Sequence, residues 1–543
     1  MTDETLSNLL HENRRFEPPA DLAADANVTA QEYARADADR LAFWAEQAER
    51  LTWEQRWDRV LDWDNPPFAK WFVGGRLNAA YNCVDRHVEE GRGDKVAFHW
   101  VGEPGDTRTL TYAELKDEVS QTANALLELG VEAGDRVAIY LPMVLETVVS
   151  MLACARIGAP HTVVFGGFSS DALVTRIQDC DARVVITADG GYRKGAPSAL
   201  KSAVDEAVSR CPDVRSVLVV RRTGQDVEWN DSRDVWWHDV VPRQSKDHKP
   251  EAFDSEHPLY VMYTSGTTGK PKGILHTTGG YLTGCAYTHS AVFDLKPETD
   301  VYWCSADIGW VTGHSYIVYG PLANGATSLM YEGTPDTPHK GRWWEIIEQH
   351  KATIFYTAPT AIRTFMKWGS EIPEKFDLSS LRVLGSVGEP INPEAYVWYR
   401  DHIGGGRCPV VDTWWQTETG MIMISPLPGV TAAKPGSAMH AIPGVSAAVV
   451  DDTGQPVANG SGGYLTLTEP WPAMLRTLWG DDQRYKDTYW SRFPGLYFAG
   501  DGAKLDEDGD VWLLGRVDDV MNVSGHRLST TEIESALVSH SKV

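Results

Sequence analysis

The sequence predicts a layered α/β protein, in which a large domain of mostly parallel sheets is followed by a small antiparallel β unit. Three observations carry this. Short β-branched runs alternate with apolar helical segments between about residues 109 and 435, the pattern of strands laid side by side under helices. After Gly436 the texture changes to alternating runs joined by D-x-G turns, which marks antiparallel hairpins. A chain of 543 residues with 42% hydrophobic content also exceeds one simple core, so two or more domains or subdomains are expected.

Taken in order, residues 1–108 read as an N-terminal helical wrap and extension. EYARADADRLAFWAEQAERLTWEQRW has helical spacing and is expected to lie outside a core. The α/β core, 109–435, opens with RVAIYLP (Arg136 to Pro142), a run ending at proline, then VLETVVSMLACARIG, a helix ending at Gly158, then the strand RVVIT. SVLVV, PLYVMYTS, ATSLMYEG, TIFYTAP and LRVLGSVGEP continue the series. The β subdomain, 436–517, holds GVSAAVVDDTGQPV, GYLTLTE and LYFAGDGAKLDEDGDVWLLGR. From 518 to 543, VMNVSGHRLSTTEIESALVSH reads as strand, loop and helix, with Ser529 or Thr530 as N-cap and Glu532 behind it. One strand and one helix cannot bury their apolar faces alone, so this stretch reads as a hinge and the truncated start of a C-terminal α+β domain.

A formal charge of -25, spread along the chain, argues against nucleic acid or anionic membranes as general partners. No apolar run approaches the ~20 residues of a membrane span, and MTDETLSNLLHENRRFEPP is too polar for a secretory signal, so a cytoplasmic protein is expected. Seven scattered cysteines, with no C-x-x-C pair, fit reduced and mostly buried thiols.

YTSGTTGKPKG, Tyr263 to Gly273, is the most chemically loaded stretch. It is not a Walker A loop, because Gly269-Lys270 is followed by Pro271 where a magnesium-binding hydroxyl would stand. Its glycines let backbone N–H groups approach an anion, and Ser265, Thr267, Thr268, Lys270 and Lys272 add hydroxyl donors and charge. It reads as a mobile cover over phosphates.

With SVGEP (Ser386 to Pro390), DTWWQTETG (Asp412 to Gly420), YFAGDGA (Tyr497 to Ala503) and GRVDDVMNVSGHR (Gly515 to Arg527), this loop makes five motifs in order. In these the chain resembles, over nearly its whole length, the adenylate-forming acyl-CoA synthetase superfamily, and within it the AMP-forming acetyl-CoA synthetases. The resemblance implies ATP, acetate and coenzyme A as substrates, with Mg2+ as cofactor. It implies a phosphate loop of Thr264, Ser265, Gly266, Thr267, Thr268, Gly269 and Lys270. Thr417 would meet the α-phosphate and Glu418 the magnesium, while Trp415 closes the acyl pocket; these three are the implied catalytic residues. Gly388, Glu389 and Pro390 would lie beside adenine, with Asp412, Thr413, Trp414, Trp415, Gln416 and Thr417 completing the nucleotide site. Asp501 and Arg516 are the implied ribose contacts, and Arg527 a phosphate contact. Val311, Thr312 and Val387 would form the remaining walls around acetate.

For coenzyme A the resemblance implies Arg193, Lys194, Gly195, Ala196, Thr312 and Asp336, with Ser524 and Gly525 lining the pantetheine tunnel. Here the pattern departs: a second arginine falls on Ala196 and an asparagine on Asp336. Asp518 matches the hinge, and Val538, His540 and Val543 resemble a metal-binding turn. The family's C-terminal lysine belongs to a P-K-T-x-S-G-K type motif, which does not occur here. The chain therefore reads as lacking most of that domain, and is expected to bind ATP or acetyl-AMP but to make little acetyl-CoA. A lysine acetyltransferase or deacetylase would act on that domain. Two other functions stay open: a ligase for propionate or another short acid, and a non-catalytic adenylate-binding module.

Overall fold

The computed structural model describes residues 12–264 and 270–517, and the backbone of 521–523 and 526–528. Two large sheets dominate. The first has eight strands, in the order Asp234–Trp236, Ser216–Val220, Ala182–Ala188, Arg136–Tyr140, His161–Val163, Pro258–Thr264, Lys272–Thr277 and Thr477–Leu478. Neighbours are parallel as far as Pro258–Thr264, and the last two strands close the edge antiparallel. The second has seven, in the order Val410–Asp412, Val383–Ser386, Ile354–Thr357, Val301–Cys304, Thr327–Glu332, Val96–Gly102 and Thr107–Thr111, with only the last antiparallel. Ile354–Thr357 and Thr327–Glu332 are buried at every position, which is why they read as continuous rather than alternating apolar runs.

Helix ends follow local chemistry. Tyr112–Glu128 starts in a capping box, with the Thr111 side chain accepting from the Glu114 N–H while the Glu114 side chain answers the Thr111 N–H. Leu145–Arg156 stops where Gly158 takes φ +70 just past the cap residue Ile157, a conformation that glycine alone enters cheaply. The small antiparallel sheet pairs Ala447–Val450, Gly462–Leu467, Tyr497–Leu505 and Val511–Arg516 in sequence order.

The N-terminal region is more deeply integrated than an outer wrap. Its helical run breaks into Gln31–Ala38 and Arg40–Ala48 at Asp39, whose side chain caps the second helix through the Ala42 N–H. Trp44 and Trp71 are fully buried. Trp44 packs edge-on to Tyr287 at 5.4 Å and donates to the Gly444 carbonyl at 2.9 Å. An antiparallel pair, Arg59–Asn65 and Phe68–Val73, follows those helices. The strand pair Val96–Gly102 and Thr107–Thr111 straddles residue 108, and Thr477–Leu478, from the 436–517 stretch, joins the first large sheet. Where one strand was expected near residue 521, two pair as a hairpin, Met521–Val523 with His526–Leu528; the expected helix with Ser529 or Thr530 and Glu532 lies outside the described residues. Among the described residues no helix is long and apolar enough to cross a membrane. All seven cysteines are buried and unpaired.

Candidate active site

In an open α/β sheet the loops leaving the carboxyl ends of parallel strands form the ligand crevice. Several of the candidate residues sit on such loops. Pro258–Thr264 runs into the phosphate loop, Val383–Ser386 into Val387 to Pro390, and Val410–Asp412 into Thr413 to Gly420. Ser265, Gly266, Thr267, Thr268 and Gly269 lie outside the described residues, as do Asp518, Ser524, Gly525, Val538, His540 and Val543, and the side chain of Arg527. The two ends of the phosphate loop are described. The Thr264 hydroxyl is buried with no partner among the described residues, and Lys270 pairs with Asp179 at 2.8 Å. Arg484, on the helix Asp482–Tyr489, donates to the carbonyls of Lys270 at 2.7 Å and Pro271 at 3.3 Å.

Glu418 is 9% exposed, and its Oε1 lies 3.3 Å from the Lys272 ammonium and accepts from the Tyr489 hydroxyl at 2.6 Å. Burial works to raise this carboxyl, but Lys272 and the Tyr489 hydroxyl outweigh it and leave it below the ordinary glutamate range. Glu418 is therefore an ionised carboxylate in a dry setting. The neighbouring turn is pinned from beneath by His276, whose Nε2 donates to the Thr417 carbonyl at 2.7 Å. Burial pushes His276 down to about 4, so it holds the turn as a neutral donor.

Asp501 is the hub of a second cluster. It accepts at Oδ2 from Trp414 Nε1 and Gln416 Nε2, each at 3.0 Å, with Arg516 3.7 Å from its other oxygen. Burial raises it to about 6 against the pull of Arg516, Trp414 and Gln416. Tyr497 donates to Gln416 Oε1 at 2.9 Å, and Arg516 to the Ala499 carbonyl at 3.2 Å. Asp412 lies at a strand end, where burial lifts it to about 7. The Thr413 hydroxyl is spent internally, donating to the Ser386 carbonyl and accepting from Tyr356, both at 2.7 Å.

Trp415 packs perpendicular to Tyr316, with centroids 4.9 Å apart, and donates from Nε1 to the Tyr356 hydroxyl at 3.2 Å. Tyr316 follows the short helix Val311–Gly313, which bears Val311 and Thr312; Val387 binds through its N–H to the Thr357 carbonyl at 3.0 Å, next to Tyr356. The indole is thus fixed against the segments that carry the other three pocket residues. Gly388 takes φ +96 in an open, exposed turn, while Glu389 accepts from the Thr360 N–H at 2.7 Å and from Arg363 at 2.9 Å. Pro390 follows, half-buried.

Thr312, also a coenzyme A candidate, lies with these on Val311–Gly313, while the other described coenzyme A candidates gather apart. Arg193, Lys194, Gly195 and Ala196 form the exposed tip of the hairpin Gly190–Arg193 with Ala196–Ala199. Exposed Asp336 lies two residues beyond Thr334, and the carboxylate of Glu103 joins that loop to the tip. Sequence reasoning passed over Glu103, Tyr316, Tyr356, Arg484 and Tyr489, because their roles exist only through contacts distant in the chain.

Asp506, Asp508 and Asp510 are close enough together to hold a metal ion. Instead, Lys434 puts its ammonium 2.6, 2.7 and 2.6 Å from the three carboxylates, and His440 lies 3.0 Å from Asp510. The cluster already holds its cation.

Over its whole length the chain is similar to known proteins. Residues 84–479 match the AMP-binding enzyme family, and residues 29–83 match the acetyl-coenzyme A synthetase N-terminus. An acetyl-coenzyme A synthetase of Streptomyces avermitilis is 74% identical over 100% of this chain and 83% of its own length. That of Streptomyces coelicolor is 75% identical over the same shares, and that of Rubrobacter xylanophilus 59% over 98% of this chain and 82% of its own. A family match over more than half of the chain, joined to such identity, leaves one assignment: the chain belongs to the acetyl-coenzyme A synthetase family of AMP-binding enzymes.

Proposed function

We propose that this protein joins acetate to the α-phosphate of ATP, releasing pyrophosphate, and then transfers the acetyl group from acetyl-AMP to coenzyme A. Bringing carboxylate and polyphosphate together requires donors and cations to offset their repulsion. Lys270 and Lys272, at the exit of the phosphate loop, supply charge, and Thr417 offers a hydroxyl on a turn held by His276. Asp501 accepts from the ribose hydroxyls, with Arg516 beside it. An ionised, buried Glu418 next to a hydroxyl is a hard oxygen set suited to Mg2+. Bound there, the ion would neutralise charge on the phosphates. No activated serine or cysteine is needed, since acetyl-AMP itself is the reactive intermediate. The buried, unpaired thiols support a reducing, cytoplasmic setting.

The single observation that carries the choice of acid is the immobilised Trp415. A wall of fixed bulk excludes larger acids by overlap, whereas smaller ones lose only about 1 to 3 kcal/mol per methylene. The test is a thermal shift with non-hydrolysable acetyl-, propionyl- and butyryl-adenylate analogues. A ligand at a hundredfold over its Kd adds about 2.7 kcal/mol of stability. Stabilisation that falls from acetyl to butyryl is expected; equal stabilisation by all three would refute the assignment of acyl length to Trp415.

A further inference from the structure

Glu103 follows directly on the strand Val96–Gly102 and is 4% exposed. One carboxylate oxygen accepts from the Gly195 N–H at 2.7 Å; the other accepts from the Lys194 N–H at 3.1 Å and the Thr334 N–H at 2.9 Å. Among the described residues no lysine or arginine pairs with it. A second carboxylate, Glu332, accepts from the Tyr192 N–H at 3.1 Å nearer the hairpin's base, but there Arg222 balances the charge at 2.8 Å. The hairpin is therefore held at two levels, and only at the tip is the holding group an anion without a counter-ion.

The tip explains why an anion is suited to the place. Lys194 and Gly195 both take positive φ, +55 and +79, as a two-residue hairpin turn requires, and successive N–H groups in such turns converge into an anion-binding concavity. Here the anion is internal. Two loops, the hairpin tip and the stretch from Thr334 to Asp336, are tied to one carboxylate because each oxygen can accept separately. An amide could not do this, since one of its two atoms donates. Arg193, Lys194 and Asp336 remain exposed, with Arg193 near enough to Asp307 to work against the burial that raises its carboxyl.

We propose that Glu103 is a positioning residue for coenzyme A. It fixes the hairpin tip against the Thr334 loop so that Arg193 and Lys194 present their charges jointly to the phosphates of the nucleotide end. This rests on the reading of the hairpin as a coenzyme A contact. Glu103 itself meets no phosphate, because its oxygens are occupied by backbone donors.

The test uses the full chain, its Glu103→Gln and Glu103→Asp variants, and Arg193→Ala as a reference for the hairpin. Coenzyme A is titrated calorimetrically with an acetyl-adenylate analogue present, the analogue is titrated alone, and amide exchange is followed at Lys194 and Gly195. Losing one charge-assisted acceptor should raise the Kd for coenzyme A roughly tenfold in Glu103→Gln, and less in Glu103→Asp. The Kd of the analogue should not move, and exchange at the two amides should quicken. If Arg193→Ala weakens coenzyme A binding while both Glu103 variants bind it normally, the positioning role is wrong. Equal weakening towards coenzyme A and analogue would mean general damage, and also overturns it. Tighter coenzyme A binding by Glu103→Gln would show that the carboxylate acts by repulsion. If neither Arg193 nor Glu103 affects coenzyme A, or none binds, the hairpin is not the contact, and that reading fails first.

Discussion

Two of the places where this molecule pairs lysine with carboxylate do opposite things. At the first, Lys434 is surrounded by Asp506, Asp508 and Asp510 at 2.6 to 2.7 Å, with its own side chain 5% exposed. At the second, Lys272 meets the single carboxylate of Glu418 at 3.3 Å, on the strand leaving the phosphate loop. The first is saturated and ties the Asp506 to Asp510 turn to the body of the protein. The second is one ion pair of looser geometry, and in the function proposed above its lysine would exchange the carboxylate for phosphates and its carboxylate the lysine for a divalent cation. Proximity of carboxylates is thus no sufficient sign of a metal site in this fold, since the tightest cluster is filled by a lysine.

The comparison breaks most severely if Lys434 is replaced. Lys434→Met strands two nearly buried aspartates, and breaking a buried pair by removing one partner costs about 3 to 5 kcal/mol. Urea denaturation should show the loss, with adenylate binding retained in the folded fraction. Next in size, Trp415→Gly should remove the wall and raise the affinity for a butyryl-adenylate analogue relative to the acetyl one by roughly 10- to 200-fold. Competition binding reads that ratio directly. Glu418→Gln should cost less urea stability than Lys434→Met, because a single lysine loses a single carboxylate partner and the Tyr489 hydroxyl can still donate to the amide oxygen. It should nonetheless abolish the Mg2+ dependence of ATP binding, measured by titration with and without the ion. A large stability loss in Glu418→Gln would erase the distinction between the clusters.

The smallest effect is in pH. Asp501 is raised to about 6 in the fold, so the native state binds its proton more readily than the unfolded chain. Its contribution to stability grows as pH falls through 6 towards the ordinary aspartate range. Asp510, held at about 2 despite its burial by His440 and Lys434, does the reverse: its contribution is present above the ordinary range and is lost as pH falls towards 2. Asp501→Asn should reduce the gain between pH 6 and 4, leaving the share of Asp412 and Asp307, which burial also raises, and should leave the loss at lower pH unchanged.

The strands were legible because the parallel sheets bury both faces, so that runs such as SVLVV and PLYVMYT stand out as unbroken apolar words. Candidate residues could be named where polar groups are compressed into a loop, as in Asp412 to Gly420. The site was illegible where a residue acts across the fold. Tyr489 is separated from Glu418 by 71 positions and Glu103 from Thr334 by 231, and no local pattern distinguishes them from other polar residues. The N-terminal segment was misjudged for the same reason. Its amphipathic spacing shows that one face is buried, but not that Trp44 reaches the middle of the core.

That indole has a consequence for how the protein is made. The carbonyl that receives Trp44 Nε1 belongs to a residue 400 positions later. At about 5 to 20 residues per second, a ribosome needs roughly 20 to 80 s to supply it. Throughout that interval the growing polypeptide carries aromatic surface that Trp71 and, later, Tyr287 cover only in part, so yield in the cell should depend on holdase chaperones and on elongation speed as well as on the stability of the finished fold.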